Sequence, residues 1–134
     1  MAETKDVLER YRRVAVVGIS NDESKAAHRI PAQLKEAGFD IVPVNPTADT
    51  VLGLKAYGKL ADVEGPIDIV EVFRPAEEAP DIARQAVEVG AKALWLQQGI
   101  RSDEARRIAE ETGLDFVEDH CMGVESRRLG ITKS

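Results

Sequence analysis

Residues 13–20 read Arg13-Val14-Ala15-Val16-Val17-Gly18-Ile19-Ser20 and open into the polar stretch Asn21-Asp22-Glu23-Ser24-Lys25. Val14 to Val17 form a continuous apolar run dominated by β-branched side chains. Such a run suits a strand covered on both faces, where alternation is not expected. Gly18 then lets the backbone turn sharply or approach a ligand closely. The stretch is read as the first, central strand of a parallel sheet with its ligand loop beyond. Such loops take phosphorylated ligands because the unpaired N–H groups of the next helix favour anions.

Working outward, Thr4 is a plausible N-cap for a helix over 5–12, with Val7, Leu8 and Tyr11 on one face. A second helix is expected over 28–37, with Ile30, Leu34 and Ala37 inward and Gly38 as its stop. Pro31 lacks an N–H and is cheap only among the first residues of a helix, which puts the start no earlier than about Ala27. That start would point free amides around His28 and Arg29 back at the loop.

The second strand covers 39–44, where Pro43 argues for an unpaired or irregular position. Between 47 and 66 the expectation is a short edge strand over 51–54, a turn at Tyr57-Gly58 and a helical turn over 59–63. A strand over 67–73 leads through Arg74-Pro75 to a helix with Ala79, Ile82, Ala83, Ala86 and Val87 inward. A strand over 93–96 exits through Gln97-Gln98-Gly99-Ile100. A helix from Ser102 or Asp103 to Thr112 precedes the last strand, 114–117. Strands alternating with helices at this spacing predict a single α/β domain over 1–134. Its core is a doubly wound, Rossmann-like, mostly parallel sheet of five or six strands with helices on both faces.

The length fits one domain with a real core: 134 residues, of which 31% are charged, with a formal net charge of −6. An acidic chain offers no general basic surface for nucleic acid or anionic lipid, so any anion must be held locally. Cys121 is the single cysteine, which excludes an internal disulfide and fits a reducing compartment. The charged N-terminus carries no signal-peptide core and no stretch approaches membrane-spanning length, so a soluble, cytoplasmic protein is expected.

Parallel strands bring their C-terminal ends to one rim. Gly18-Ile19-Ser20, Val44-Asn45-Pro46, Val72-Phe73-Arg74-Pro75 and the Gln97 to Ile100 exit therefore meet in one crevice. A nucleotide-like ligand could lay its phosphates on the first loop and its base between Pro46 and Phe73-Pro75. The glycines of G-x-G-x-x-G are missing after Gly18 and no acidic residue ends the second strand, which disfavours dinucleotide redox chemistry. The Walker pattern is missing too. Trp95 reads as core. Arg101, Arg106, Arg107, Arg127 and Arg128, mixed with Glu104, Glu110, Glu111 and Glu125, read as a solvated face.

Six pieces in order carry a resemblance: Val-Ala-Val-Val-Gly-Ile-Ser, His-Arg-Ile, Ile-Val-Pro-Val-Asn-Pro, Asp-Ile-Val-Glu-Val-Phe-Arg-Pro, Ala-Leu-Trp-Leu-Gln-Gln-Gly-Ile and Glu-Asp-His-Cys-Met-Gly-Val-Glu. Together they resemble the small stand-alone CoA-binding proteins, whose fold is similar to the CoA-binding domain of the succinyl-CoA synthetase α subunit. The resemblance implies coenzyme A or an acyl-CoA as the small-molecule ligand. Gly18, Ile19, Ser20, Lys25, His28 and Arg29 would surround the phosphates. Asn45, Pro46, Phe73, Arg74 and Pro75 would hold the adenosine end, and Gln98, Gly99 and Ile100 would line the pantetheine path.

Two departures stand against full transfer. Asp22 and Glu23 put negative charge in the phosphate loop unless they point outward. The synthetase's phosphorylatable-histidine domain and nucleotide-binding partner have no counterpart here, so ligase activity does not follow. The expectation is a non-enzymatic binding module, with no nucleic acid or membrane and with room for a protein partner. The alternatives are an acyl-CoA-dependent enzyme or a CoA-thiol redox protein using Cys121 or His28. His28 reads equally as a neutral polar contact or a phosphate donor, and the His120-Cys121 pair reads as structural.

Overall fold

The computed structural model describes residues 3–134. In chain order the elements are α1 (Thr4–Arg10), β1 (Arg13–Val17), α2 (Ala26–Glu36), β2 (Asp40–Val44), β3 (Thr50–Val51), β4 (Leu54–Lys55), β5 (Ile69–Val72), α3 (Ala79–Glu88), β6 (Ala93–Leu96), α4 (Asp103–Thr112), β7 (Asp115–Val117) and α5 (Met122–Arg128), with single 3₁₀ turns at Leu60–Asp62 and Ala76–Glu78. Five parallel strands form the central sheet in the order β2-β1-β5-β6-β7. The doubly wound expectation holds.

The sheet is apolar on both faces. Ala15, Val70, Val72, Leu94 and Leu96 pack towards Ile82, Ala83, Ala86, Ala105 and Ala109 of α3 and α4. On the other face Val14, Val16, Ile69 and Trp95 meet Val7, Leu8, Leu34 and Met122 of α1, α2 and α5. Period two thus survives inside an all-apolar run, because alternate residues choose between two helical layers. Each large side chain so buried stabilises the fold by about 1.5–3 kcal/mol. Trp95 is fully buried, as expected, and its indole N–H donates to the His120 carbonyl at 2.8 Å. Among the described residues no helix is long and apolar enough to cross a membrane.

Several local expectations are corrected. Thr4 lies inside α1, with Glu3 at the cap position, and its hydroxyl donates instead to Glu125 at 3.3 Å. α2 begins at Ala26, so Pro31 sits in its interior rather than its first turn. The cost is offset locally: the Ala27 carbonyl, which an N–H at position 31 would have used, accepts from the Ser20 N–H at 3.1 Å. Pro43 lies on the edge strand β2, where its missing N–H faces no sheet partner and its carbonyl accepts from Tyr57 N–H at 3.0 Å.

The expected edge strand over 51–54 is a tight hairpin of β3 and β4, turning on Leu52 and Gly53 at φ 56° and 72°. Both positive angles match a two-residue primed turn. The helical turn after it is the 3₁₀ turn at Leu60–Asp62. Val87 was expected inward, yet it is exposed. α5 was not anticipated: seven residues long, with Val124 facing solvent, it gives little periodic signal.

Candidate functional site

Strand order reverses between β1 and β5, so the chain leaves their C-terminal ends in opposite directions and opens a crevice there. Gly18 sits in that crevice at φ 89°. A Cβ on it would stand 2.8 Å from the Phe73 carbonyl oxygen and 2.9 Å from Arg74 Cδ. The Phe73 backbone cannot give way easily, because its N–H donates to Val17 O at 2.9 Å in the ladder. Only glycine lets the first loop pass this close to the β5 exit.

The loop is shaped by its own hydrogen bonds. Ser20 Oγ accepts from the Asp22 N–H at 3.0 Å, and the Asp22 carboxylate accepts from the Ser24 N–H at 3.0 Å and from Ser24 Oγ at 2.6 Å. These Ser24 contacts hold the Asp22 carboxyl below the usual range. Asp22 and Glu23 are exposed and line neither hollow described below. His28 Nδ1 lies 2.8 Å from the Ser20 carbonyl, which only accepts, so that nitrogen carries the proton. Arg29 donates to the Ser24 carbonyl.

One expectation about this loop fails. The amides of His28 and Arg29 are not free: both donate to the Lys25 carbonyl at 3.0 Å, because the helix begins before them.

Two hollows flank Arg74, which lines both. The first, of about 700 Å³, gathers Gly18, Ile19, Ser20, Lys25, Asn45, Pro46 and Arg74, with Lys59 opposite and Glu77, Glu78 and Asp81 along the start of α3. The second, of about 540 Å³, gathers Arg29, Phe73, Arg74, Pro75, Gln98 and Ile100 around Gln97 and Cys121. Twelve of the fourteen anticipated residues thus border one hollow or the other; His28 and Gly99 border neither.

Pro46 and the Phe73-Pro75 pair do not come together as a base clamp, since they face different hollows. Phe73 is half-buried. Asn45 braces the rim, donating to the Ile19 carbonyl at 3.0 Å and accepting from the Thr47 and Ala48 amides at 2.9 and 3.0 Å.

Charge is arranged unevenly around this rim. Arg74 is gripped by Glu78 through two bonds, at 3.1 and 2.7 Å, which pull the Glu78 carboxyl below its ordinary range. Lys25 makes no salt bridge among the described residues and is the available cation of the first loop. Gly99 turns away from the second hollow because its N–H donates to the Asp119 carboxylate at 2.7 Å, and Asp119 also pairs with Arg101 at 2.9 Å. Arg106 is not simply a solvated residue, since it binds the buried Glu118.

Sequence reasoning missed Lys59, Glu77, Glu78 and Asp81 as rim residues; it placed Gln97 on the rim without giving its side chain a ligand role, and it read Cys121 as structural, whereas it borders the second hollow. The signal for the α3 acids was present in Arg-Pro-Ala-Glu-Glu, a strand exit running into a helix start. For Gln97, just past the end of an apolar strand, burial hid the role.

A family model described as "CoA binding domain" matches residues 12–127. The chain is 42% identical over 123 residues to the uncharacterized protein YneT of Bacillus subtilis (strain 168), covering 92% of this chain and 91% of that one. A hypothetical protein from Pyrococcus horikoshii OT3 superposes with a TM-score of 0.90 at 35% identity, over 94% of this chain and 89% of its own. Larger proteins match in part. The chain is 25% identical over 128 residues to an acetate–CoA ligase (ADP-forming) of Methanocaldococcus jannaschii, covering 90% of this chain but 18% of the ligase. It also aligns with 27% of the dinucleotide-forming acetyl-coenzyme A synthetase 1 of Ca. Korarchaeum cryptofilum, at TM-score 0.73 and 28% identity over 85% of this chain. With nearly its whole length matched by the family model, and homologous to the corresponding domain of the ADP-forming synthetases, this chain belongs to the CoA-binding domain family.

Proposed function

We propose that the protein binds coenzyme A or an acyl-CoA across the crevice and performs no chemistry on it. The observation that carries this reading is the pair of hollows joined at Arg74: one with Lys25 and Lys59 beside the acids Glu77, Glu78 and Asp81, the other bordered by Phe73, Pro75, Ile30 and Ile100 with Arg29 at its edge. A ligand with a bulky anionic head and a long, mostly uncharged arm suits such a pair. The fit is supported by Gly18, where a Cβ would fill the space between the first loop and the β5 exit. Lys25, Ser20 and Arg74 would hold the phosphates, Asn45 and Pro46 the adenosine side, and Phe73, Pro75, Gln98 and Ile100 the pantetheine arm. Ligase activity belongs to proteins of which this chain spans a fifth or so, and is not carried over.

The test is a melting assay with CoA, ATP, NAD and AMP. A ligand at about a hundred times its dissociation constant contributes roughly 2.7 kcal/mol. For a domain of this size that raises Tm by about 8–12 °C. CoA should produce it, and Lys25→Ala or Arg74→Ala should each reduce it, since a charge-assisted phosphate contact is worth about 1.5–3 kcal/mol. Asp103→Ala should not. Equal shifts with ATP and NAD, or none with CoA at millimolar concentration, would remove CoA as the ligand.

A second reading rests on Cys121, half-buried at the edge of the second hollow. Its thiolate could attack the S–S bond of CoA disulfide, forming a protein–CoA mixed disulfide and releasing one CoA thiolate. Intact mass after treatment with CoA disulfide decides this, and incubation with acetyl-CoA decides between binding and turnover.

A further inference from the structure

Beneath the second hollow lies a polar group that the binding reading above does not use. Glu71 is fully buried in β5, paired in register with Val16 of β1 and Trp95 of β6. Gln97 follows Trp95 by two residues, so its side chain lies on the same face, diagonal to Glu71. Gln97 is nearly buried as well, yet it borders the second hollow.

The orientation of the Gln97 amide follows from its partners. The Met122 N–H at the start of α5 can only donate, so the atom 3.3 Å away must be Gln97 Oε1. Gln97 Nε2 therefore faces Glu71, donating to its Oε2. The other carboxyl oxygen, Oε1, is buried without a partner. One N–H of Nε2 is left over after the bond to Glu71, because the amide nitrogen carries two.

We propose that Gln97 is a binding residue that determines the chemistry of the second hollow, its amide held from below by Glu71 and from the side by Met122 so that it offers an N–H to a carbonyl oxygen of the bound arm. The inference rests on the CoA reading and deepens it. The arm chosen is one bearing amide or thioester carbonyls rather than a plain alkyl chain. Burial supports the arrangement by pushing the Glu71 carboxyl up to about 8, so that at neutral pH it is an uncharged acid accepting through Oε2. Unlike Gln98 and Ile100, Gln97 has its side chain fixed at both ends before any ligand arrives.

The experiment compares CoA with 3′-phosphoadenosine 5′-diphosphate, which has the anionic head and no pantetheine, by calorimetric titration. The wild-type protein should bind CoA at least tenfold tighter than the truncated ligand. Gln97→Leu should lose about tenfold for CoA while affinity for the truncated ligand stays within twofold. Glu71→Gln, which keeps an acceptor beneath Gln97, should leave both unchanged. Gln97→Glu sets two carboxyl groups face to face and should weaken CoA about tenfold. The exchanged pair Glu71→Gln/Gln97→Glu restores the bond between the two side chains but places no N–H at position 97, so it should fold and still bind CoA about tenfold more weakly than the wild-type protein.

That loss in a pair whose internal bond is intact distinguishes the N–H offered to the arm from general packing, and it keeps the test decisive should Gln97→Leu fail to fold. A CoA preference unchanged in Gln97→Glu, or recovered in the exchanged pair, overturns the proposal and leaves the binding reading intact. If neither ligand binds the wild-type protein, the binding reading falls and this inference with it.

Discussion

Gly18→Ala isolates the contact on which the crevice depends. At φ 89° a side chain is strained whatever the space, at roughly 1–2 kcal/mol. The new Cβ would also stand 2.8 Å from the Phe73 carbonyl oxygen. Arg74 Cδ can swing aside; the carbonyl cannot, since the Phe73 N–H is tied to β1. Overpacking against fixed backbone adds about 1–3 kcal/mol, and the stiffer unfolded chain returns about 0.4–1 kcal/mol. The net loss is about 2–4 kcal/mol. At about 3.5 °C per kcal/mol for this chain length, calorimetry should show Tm lower by about 7–14 °C. Gly113→Ala is the control, because Gly113 has a similar φ of 77° but no atom within 4 Å of its Cβ position. It should cost about 1 kcal/mol. If the two variants melt within about 2 °C of each other, the wedge at the β5 exit is not what demands glycine.

Glu71 makes stability depend on pH with a definite sign. Its folded value of about 8 lies above the ordinary 4.5, so its stabilising effect is full below pH 4.5 and is lost as pH rises towards 8, by on the order of 5 kcal/mol. Glu71→Gln should flatten that part of a urea-denaturation profile taken from pH 5 to 8.5; an identical slope in the variant contradicts the assignment. Asp119→Ala releases the Gly99 amide and Arg101, and should reduce the CoA-induced rise in Tm while Asp103→Ala leaves it alone. Pro31→Ala restores an N–H that competes for the Ala27 carbonyl, so the Ser20 amide should exchange faster with deuterium; unchanged protection would show that the carbonyl was not its anchor.

The sheet was legible because Val14 to Val17, the β5 run and Ala93 to Leu96 are too apolar and too short to be anything but strands covered on both sides. Helix starts were less legible: Pro31 argued for a later start of α2, and its interior place is tolerated because the Ser20 amide of the preceding loop takes the Ala27 carbonyl. The Leu52-Gly53 turn was hidden because leucine is a rare choice at positive φ. The rim residues contributed by strand exits were readable from topology alone. Which of two hollows each would face was not, since that depends on how Arg74 divides the crevice. Glu71 stood in plain view inside an apolar strand, but periodicity says only which face a residue takes. That its partner would be Gln97, twenty-six residues on, required the register of β5 against β6.

The grip of Glu78 on Arg74 bears on selectivity among anions in a crowded solution. A guanidinium already holding a carboxylate at 2.7 Å is a poor trap for chloride or a lone inorganic phosphate, which offer it little more than it has. An incoming molecule must displace Glu78 with help from contacts made elsewhere. On the proposed reading, the closed pair would then act as a threshold, turning away small, abundant ions and yielding to a ligand large enough to fill both hollows at once.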